Sequence, residues 1–161
     1  NMVYVQGGSF TSEDPFTQAR STRNVKSFLI DKNLVTVADY DAFVKATGYK
    51  TEADRYGNAG VFNQETGTWD LVDGANYLFP YGKQQPAAKR NHPVTQISWN
   101  DAIAYAKWKG KRLPTQWEWE FAARNGKSSN AIYTWGEQLI VNGQYKANTW
   151  QGSFPHKNTQ E

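Results

Sequence analysis

Three segments of this chain carry the same punctuation, and it limits the fold more than any other feature. Thr36 stands three residues before Asp39 in TVAD, Ser98 three before Asp101 in SWND, and Thr115 three before Glu118 in TQWE. In each, the hydroxyl can accept from an early helical amide while the carboxylate reaches back to the cap, where the helix dipole also favours its charge. Glycines follow at Gly48, Gly110 and Gly126, the residue type best able to adopt the left-handed conformation that closes a helix. The spacing predicts three helices. Their apolar stripes read Val37, Tyr40, Phe43 and Val44; Trp99, Ala102, Ile103 and Ala106; and Trp119, Ala122 and Ala123. Trp99 and Trp119 are therefore expected to be largely buried.

The remainder is not helical in pattern. MVYVQGGSF reads as a strand, a Gly-Gly turn and a second strand. TSEDPFTQARST is polar and reads as a loop, and RNVKSFLID as one strand with Val25, Phe28 and Ile30 as its apolar residues. Residues 52–97 are rich in Gly, Asn and Pro, yet Val61, Phe62, Trp69, Leu71 and Phe79 can pack. They read as a long ordered loop region with one hairpin about Thr66-Gly67. Loops of this length in a compact domain are usually functional or disordered, and the aromatics argue for order. YTWGEQL and ANTWQGSFPHKNTQE are again turn-rich and aromatic. A chain of 161 residues suits one domain. Its class is α+β, loop-rich, with few helices and short strands.

Several kinds of chemistry are excluded. The chain has no cysteine, so it holds no disulfide, thiolate metal site or cysteine nucleophile, and its two histidines, His92 and His156, are far apart. Mean hydropathy is −0.77, and no apolar run approaches the ~20 residues of a membrane span. Net charge is +3, but the densest basic stretches, KQQPAAKR and KWKGKR, lack the interleaved aromatics of a nucleic-acid groove and read as solvated faces. Glu118 and Glu120 lie two apart and cannot face one another on a helix. Asp70 and Asp73 flank a turn and read as surface residues. DGAN, residues 73–76, has turn chemistry and not the spacing of a calcium loop. YGNAG lacks the lysine and helix of a phosphate loop. KRLPTQWEWEFAARNG, which holds both of those glutamates, is architecture on this reading, with Arg112 and Arg124 holding loops by bidentate hydrogen bonds.

MVYVQGGSF, FLIDKNLVTVADYDAFVKATGYKTEADRYG, VDGAN, HPVTQISWNDAIAYAKWKGKRLPTQWEWEFAARNG, YTWGEQL and NTWQGSFPHKNT follow one another in this chain. In that order they resemble the formylglycine-generating enzymes, also called sulfatase-modifying factors. The resemblance implies a C-type-lectin-like variant of that fold. Residues 1–161 would be the N-terminal portion of a single such domain, incomplete at its C-terminus. The family's active-site cysteine pair, which binds copper and activates oxygen, lies in the later part. Alone, the chain is thus expected to be non-catalytic and to need its continuation or a companion chain. The resemblance further implies a structural calcium held by the Asn148 side chain and the Thr149 carbonyl. It also implies a substrate-peptide groove at Ala53, Asn58, Ala59, Ala75 and Tyr77. Members that modify sulfatases usually carry an acid at the position of Asn58 and Trp-Arg at Tyr77-Leu78. These departures weaken recognition of the arginine in a Cys-x-Pro-x-Arg substrate. They favour a non-catalytic structural or binding relative in the cell envelope. The alternative is part of an active oxidase that converts a substrate cysteine to formylglycine with copper and oxygen. An extracytoplasmic location and a protein or peptide partner are expected, with no nucleic acid and no membrane span.

Overall fold

Each helix starts on a reciprocal cap. The computed structural model describes residues 1–14, 16–129 and 131–160. Its helices are α1 (Val37–Thr47), α2 (Glu52–Tyr56), α3 (Trp99–Trp108) and α4 (Gln116–Ala123). Thr36, Thr51, Ser98 and Thr115 accept from the amides of Asp39, Asp54, Asp101 and Glu118, whose carboxylates return to the capping backbone. Gly48 closes α1 and Gly57 closes α2 in the left-handed region. α2 corrects the reading of residues 52–97 as loop. TEAD repeats the pattern of TVAD, but five residues are too few to display an apolar stripe.

The described residues form two units: Asn1–Lys32 with Pro114–Trp150, and Asn33–Leu113 with the segment from Gln151 onward. In the first, β1 (Met2–Val5) pairs antiparallel with β4 (Phe28–Asp31), and β2 (Gly8–Glu13) with β3 (Arg20–Val25). TSEDPFTQARST is thus strand at both ends, with Thr11 and Thr22 hydroxyls 2.8 Å apart across the ladder. Between them the Asp14 carboxylate accepts from the Phe16 and Thr17 amides and closes the turn. RNVKSFLID breaks in two at Lys26-Ser27. There a Cβ on Gly7 would lie 2.2 Å from the Val25 carbonyl oxygen, so only glycine fits. Phe10, Val25 and Phe121 form the core, with Val5, Phe28 and Trp117 packed against it. A short hairpin, β7 (Ile140–Val141) with β8 (Gln144–Tyr145), turns on Asn142-Gly143, both at positive φ.

In the second unit β5 (Asn58–Asn63) pairs antiparallel with β6 (Thr68–Asp73), and Thr66-Gly67 lies in the turn, as expected. The core is aromatic: Tyr40, Phe43 and Tyr77 are buried, with Tyr49, Tyr105 and Ile97 among the residues against them. Tyr40 meets Tyr77 edge-on at 5.2 Å and stacks on Tyr105 at 5.6 Å. Such pairs contribute about 0.5–1.5 kcal/mol each beyond their buried area.

Two stripe assignments are corrected. Trp119 is 62% exposed and Trp99 71% exposed. α4 turns Trp117 and Phe121, four apart, toward Phe10, so the buried face lies about half a turn from Trp119. α3 buries Asp101 and Ala106 and packs Ala104 and Tyr105 on the core, leaving Trp99, its first residue, exposed.

Tyr40 is fully buried, and its hydroxyl has no hydrogen-bond partner among the described residues. Burial drives its pKa upward, so the phenol stays protonated and the hydroxyl is a desolvated polar group. Tyr40→Phe keeps the ring and removes that group. It is expected to raise stability by about 1 kcal/mol, the lower end of the penalty for an unsatisfied buried group. Urea unfolding should show a higher midpoint at unchanged slope. A fall in the midpoint would mean that the hydroxyl has a partner.

Candidate functional site: a small-residue cleft beside α2

Capping places α2 where its C-terminal end, the close of the β5–β6 hairpin and the following turn enclose a cleft of about 360 Å³. Ala53, Asp54 and Gly57 form one wall, Asp73, Gly74, Ala75 and Asn76 the other, and Lys83 stands at the rim. Four of these eight residues carry no side chain beyond Cβ, so the floor stays close to the backbone. Gly74 has a φ of 72°, and a Cβ there would lie 3.0 Å from Cγ of Lys83. Glycine thus supplies both the conformation and the room for the lysine stem.

The walls are tied together. The Gly74 amide donates to the Gly57 carbonyl at 2.8 Å, and Asn76 Nδ2 donates to Asp54 Oδ1 at 2.9 Å. Asp54 Oδ2 accepts from the Thr51 hydroxyl and amide. Asn76 Oδ1 accepts from the amides of Leu78 and Phe79. At the other end of α2 the buried Asp101 carboxylate accepts from the Glu52 amide at 3.1 Å, the Tyr49 hydroxyl at 3.0 Å and the Ser98 amide at 2.9 Å. Asn100 donates to the Glu52 carboxylate at 2.9 Å and is the foremost cause holding that carboxyl below its usual range.

Behind the cleft, Tyr77 turns its ring into the core and donates to Asp41 Oδ1 at 3.3 Å. Burial first, then the Asp41 charge, pushes the phenol up to about 12, so it remains a protonated donor near neutrality. Asp41 is itself buried. Lys45 at 2.7 Å, aided by Arg90 at 3.0 Å, holds its carboxyl below the usual range.

The expected groove residues separate into three groups. Ala53 and Ala75 both line the cleft, each of them buried against the body of the unit. Asn58 and Ala59 begin β5, half-buried, opposite Asp73 and Val72 in the ladder, and do not line the cleft. Tyr77 is 4% exposed, a core residue that supports the turn rather than a surface. Asp73, read as a plain surface residue, stands on the cleft wall. Asp54, Asn76 and Lys83 were not anticipated. The first could have been found from Thr51 three residues before it, and the second from DGAN, whose asparagine folds its own turn.

Asn148 and Thr149 lie in the other unit. Asn148 is exposed. The Thr149 amide donates to the Ala147 carbonyl at 3.0 Å, and its buried hydroxyl has no hydrogen-bond partner among the described residues. Amide, carbonyl and hydroxyl oxygens are ordinary calcium donors, though calcium takes about 6–8. Among the described residues no three His, Cys, Asp or Glu side chains gather to hold a metal ion. Elsewhere in the same unit, Arg124 ties a loop through one bond in place of the expected bidentate pair, donating to the Ala131 carbonyl at 3.1 Å, and Glu120 accepts from Ser12 at 2.6 Å.

Comparison with known proteins agrees with this architecture. The chain is 41% identical over 182 residues to the formylglycine-generating enzyme of Streptomyces coelicolor, covering 99% of this chain and 58% of that protein. It is 40% identical over 183 residues to the mouse formylglycine-generating enzyme, covering 99% of this chain and 49% of that protein. It is 36% identical over 177 residues to bovine inactive C-alpha-formylglycine-generating enzyme 2, covering 96% of this chain and 58% of that protein. The chain thus spans about half to three-fifths of the length of these curated relatives. Residues 1–161 match the sulfatase-modifying factor enzyme 1-like domain, and with its capped helices, short antiparallel ladders and long loops this α+β chain belongs to that family.

Proposed function

We propose that this chain forms the peptide-holding part of a sulfatase-modifying-factor-type domain and acts as a binding module. The observation that carries this is the cleft lined by Ala53, Gly57, Gly74 and Ala75, whose small side chains keep its surface close to the backbone. Such a surface admits an extended backbone, while Asp54, Asp73 and Lys83 offer charge at the walls. Asn58 is neutral and Tyr77 faces the core, so neither offers the charge or exposed ring that sulfatase modification would use.

A second reading, part of an active oxidase that turns a substrate cysteine into formylglycine, is favoured by the 41% identity to a protein named for that reaction. The copper and oxygen chemistry would then fall to the whole protein, since these residues include no cysteine.

Calcium is part of either reading. The Asn148 amide oxygen and the Thr149 carbonyl would hold it, with the ion cross-linking the surrounding turn. These two oxygens would be a minority of the about 6–8 that calcium takes, the rest coming from the remainder of the domain.

The test is to titrate the full-length protein with a synthetic Cys-x-Pro-x-Arg peptide and then weigh the peptide by mass spectrometry. Weak binding with an unchanged cysteine is expected, since Asn58 lacks the acid that would meet the peptide's arginine, and Ala53→Leu should weaken it further by about tenfold, the effect of roughly 1.4 kcal/mol. Conversion of the cysteine would establish the second reading. Binding unaffected by Ala53→Leu would remove the cleft from the site.

A further inference from the structure

We propose that Asp54 and Asn76 are a positioning pair whose single hydrogen bond sets the width of the cleft and thereby its fit to an extended peptide. This rests on the reading of the cleft as the peptide site.

The two residues stand on opposite walls, joined by the 2.9 Å bond from Asn76 Nδ2 to Asp54 Oδ1. Neither end can swing freely. Asp54 is fixed by its other oxygen, which accepts from the Thr51 hydroxyl at 2.8 Å and the Thr51 amide at 3.3 Å and so fastens the α2 cap. Asn76 is fixed by its carbonyl oxygen, which takes the amides of Leu78 at 3.0 Å and Phe79 at 2.9 Å and so fastens the turn after β6. One amide group therefore closes a chain running from the α2 cap to the far wall. A second hydrogen bond between the walls joins backbone groups, Gly74 to Gly57. A charged acceptor makes the Asn76–Asp54 bond among the stronger kinds of hydrogen bond. Because each partner is anchored before it reaches across, the bond converts two local turns into one rigid gap.

The arrangement permits a sharp test. Asn76→Asp keeps the oxygen that accepts from Leu78 and Phe79, so the turn survives, but it sets a carboxylate against Asp54 in place of the donor. The walls should part. The reciprocal double variant, Asp54→Asn with Asn76→Asp, restores one donor and one acceptor across the cleft. It also keeps an oxygen at each end for the cap and the turn.

Amide hydrogen exchange and titration with the Cys-x-Pro-x-Arg peptide are measured on the full-length native protein and both variants. The single variant should exchange faster at Ala53–Gly57 and Gly74–Asn76, with α1 unchanged, and bind the peptide about tenfold more weakly, the scale of one lost charge-assisted bond. The double variant should recover both. Unchanged exchange in the single variant overturns the latch. Faster exchange with unchanged affinity overturns its role in peptide fit, as does failure of the double variant to recover while its melting temperature matches the native protein's. If the native protein binds no such peptide, the reading of the cleft falls and takes the peptide role with it. Exchange then decides the latch alone.

Discussion

Asp101→Ala is expected to lower the stability of the unit containing the cleft by about 3–5 kcal/mol, a large part of the ~5–15 kcal/mol that holds a domain folded. Asp101 is fully buried. As the fourth residue of its own capping box it accepts from Ser98, and it then reaches beyond its own helix to the first amide of α2 and to the Tyr49 hydroxyl. One carboxylate thus serves the N-termini of two helices, where both dipoles favour its charge. Alanine leaves three donors without their acceptor, each costing about 1–3 kcal/mol if it stays buried and less if water enters. Asp101→Asn retains an acceptor but turns an amide N–H₂ toward one set of donors, so its loss should be smaller. The local signature separates this from general loosening: hydrogen exchange should accelerate first at Glu52–Tyr56, the helix that loses its outside anchor. Denaturant unfolding within 1 kcal/mol of the native protein would show that these donors find other partners, and the anchoring role would fail.

That carboxylate also shows what the sequence made legible. Capping is local: the hydroxyl, the carboxylate and the amides they serve lie within four residues, so Thr36, Ser98 and Thr115 announce their helices without knowledge of the rest of the fold. The second half of Asp101's work is not local. The bond to Glu52 spans 49 positions and depends on how α2 is placed. The cleft follows the same division. Gly57 and Gly74 carry turn signals, but the contact from Asn76 to Asp54 requires the β5–β6 ladder to return the chain beside α2. Ala53 and Ala75 entered the reading through family resemblance, because an alanine has no chemistry from which a groove could be inferred. Asn58 shows the reverse limit. Its place beside Ala59 in sequence gives no warning that the ladder sets it opposite Asp73, which is itself on the cleft wall.

Phe121→Ala should destabilise the chain by about 3–5 kcal/mol, whereas Trp119→Ala should change it by no more than about 0.5 kcal/mol. The two side chains sit two positions apart on α4 and point to different sides of it. Phe121 is 4% exposed, Trp119 62%. Periodicity alone admits either phase, since an aromatic-rich helix offers apolar neighbours at helical spacing around Trp117 as well as around Trp119. The choice is made by partners distant in sequence. Phe10, from β2, meets Phe121 at 5.5 Å and Trp117 at 6.2 Å, both edge-on. Arg23, from β3, lies 5.0 Å over the Trp117 ring. Gly126 closes over the Phe121 ring so tightly that a Cβ there would stand 2.9 Å from its Cζ. Its φ of 69° favours glycine independently, so this glycine, two residues past the Arg124 cap of α4, also makes room for the core. Removing the Phe121 ring leaves a cavity bounded by these groups, and strand and glycine are poorly placed to collapse into it. Removing the Trp119 ring only exchanges one solvated surface for another. Denaturant unfolding of both variants, followed by far-ultraviolet circular dichroism so that the lost tryptophan does not distort the signal, decides the matter. A loss at Trp119 equal to or greater than that at Phe121 would mean that α4 packs through the opposite face and that the core around Phe10 is wrongly assigned.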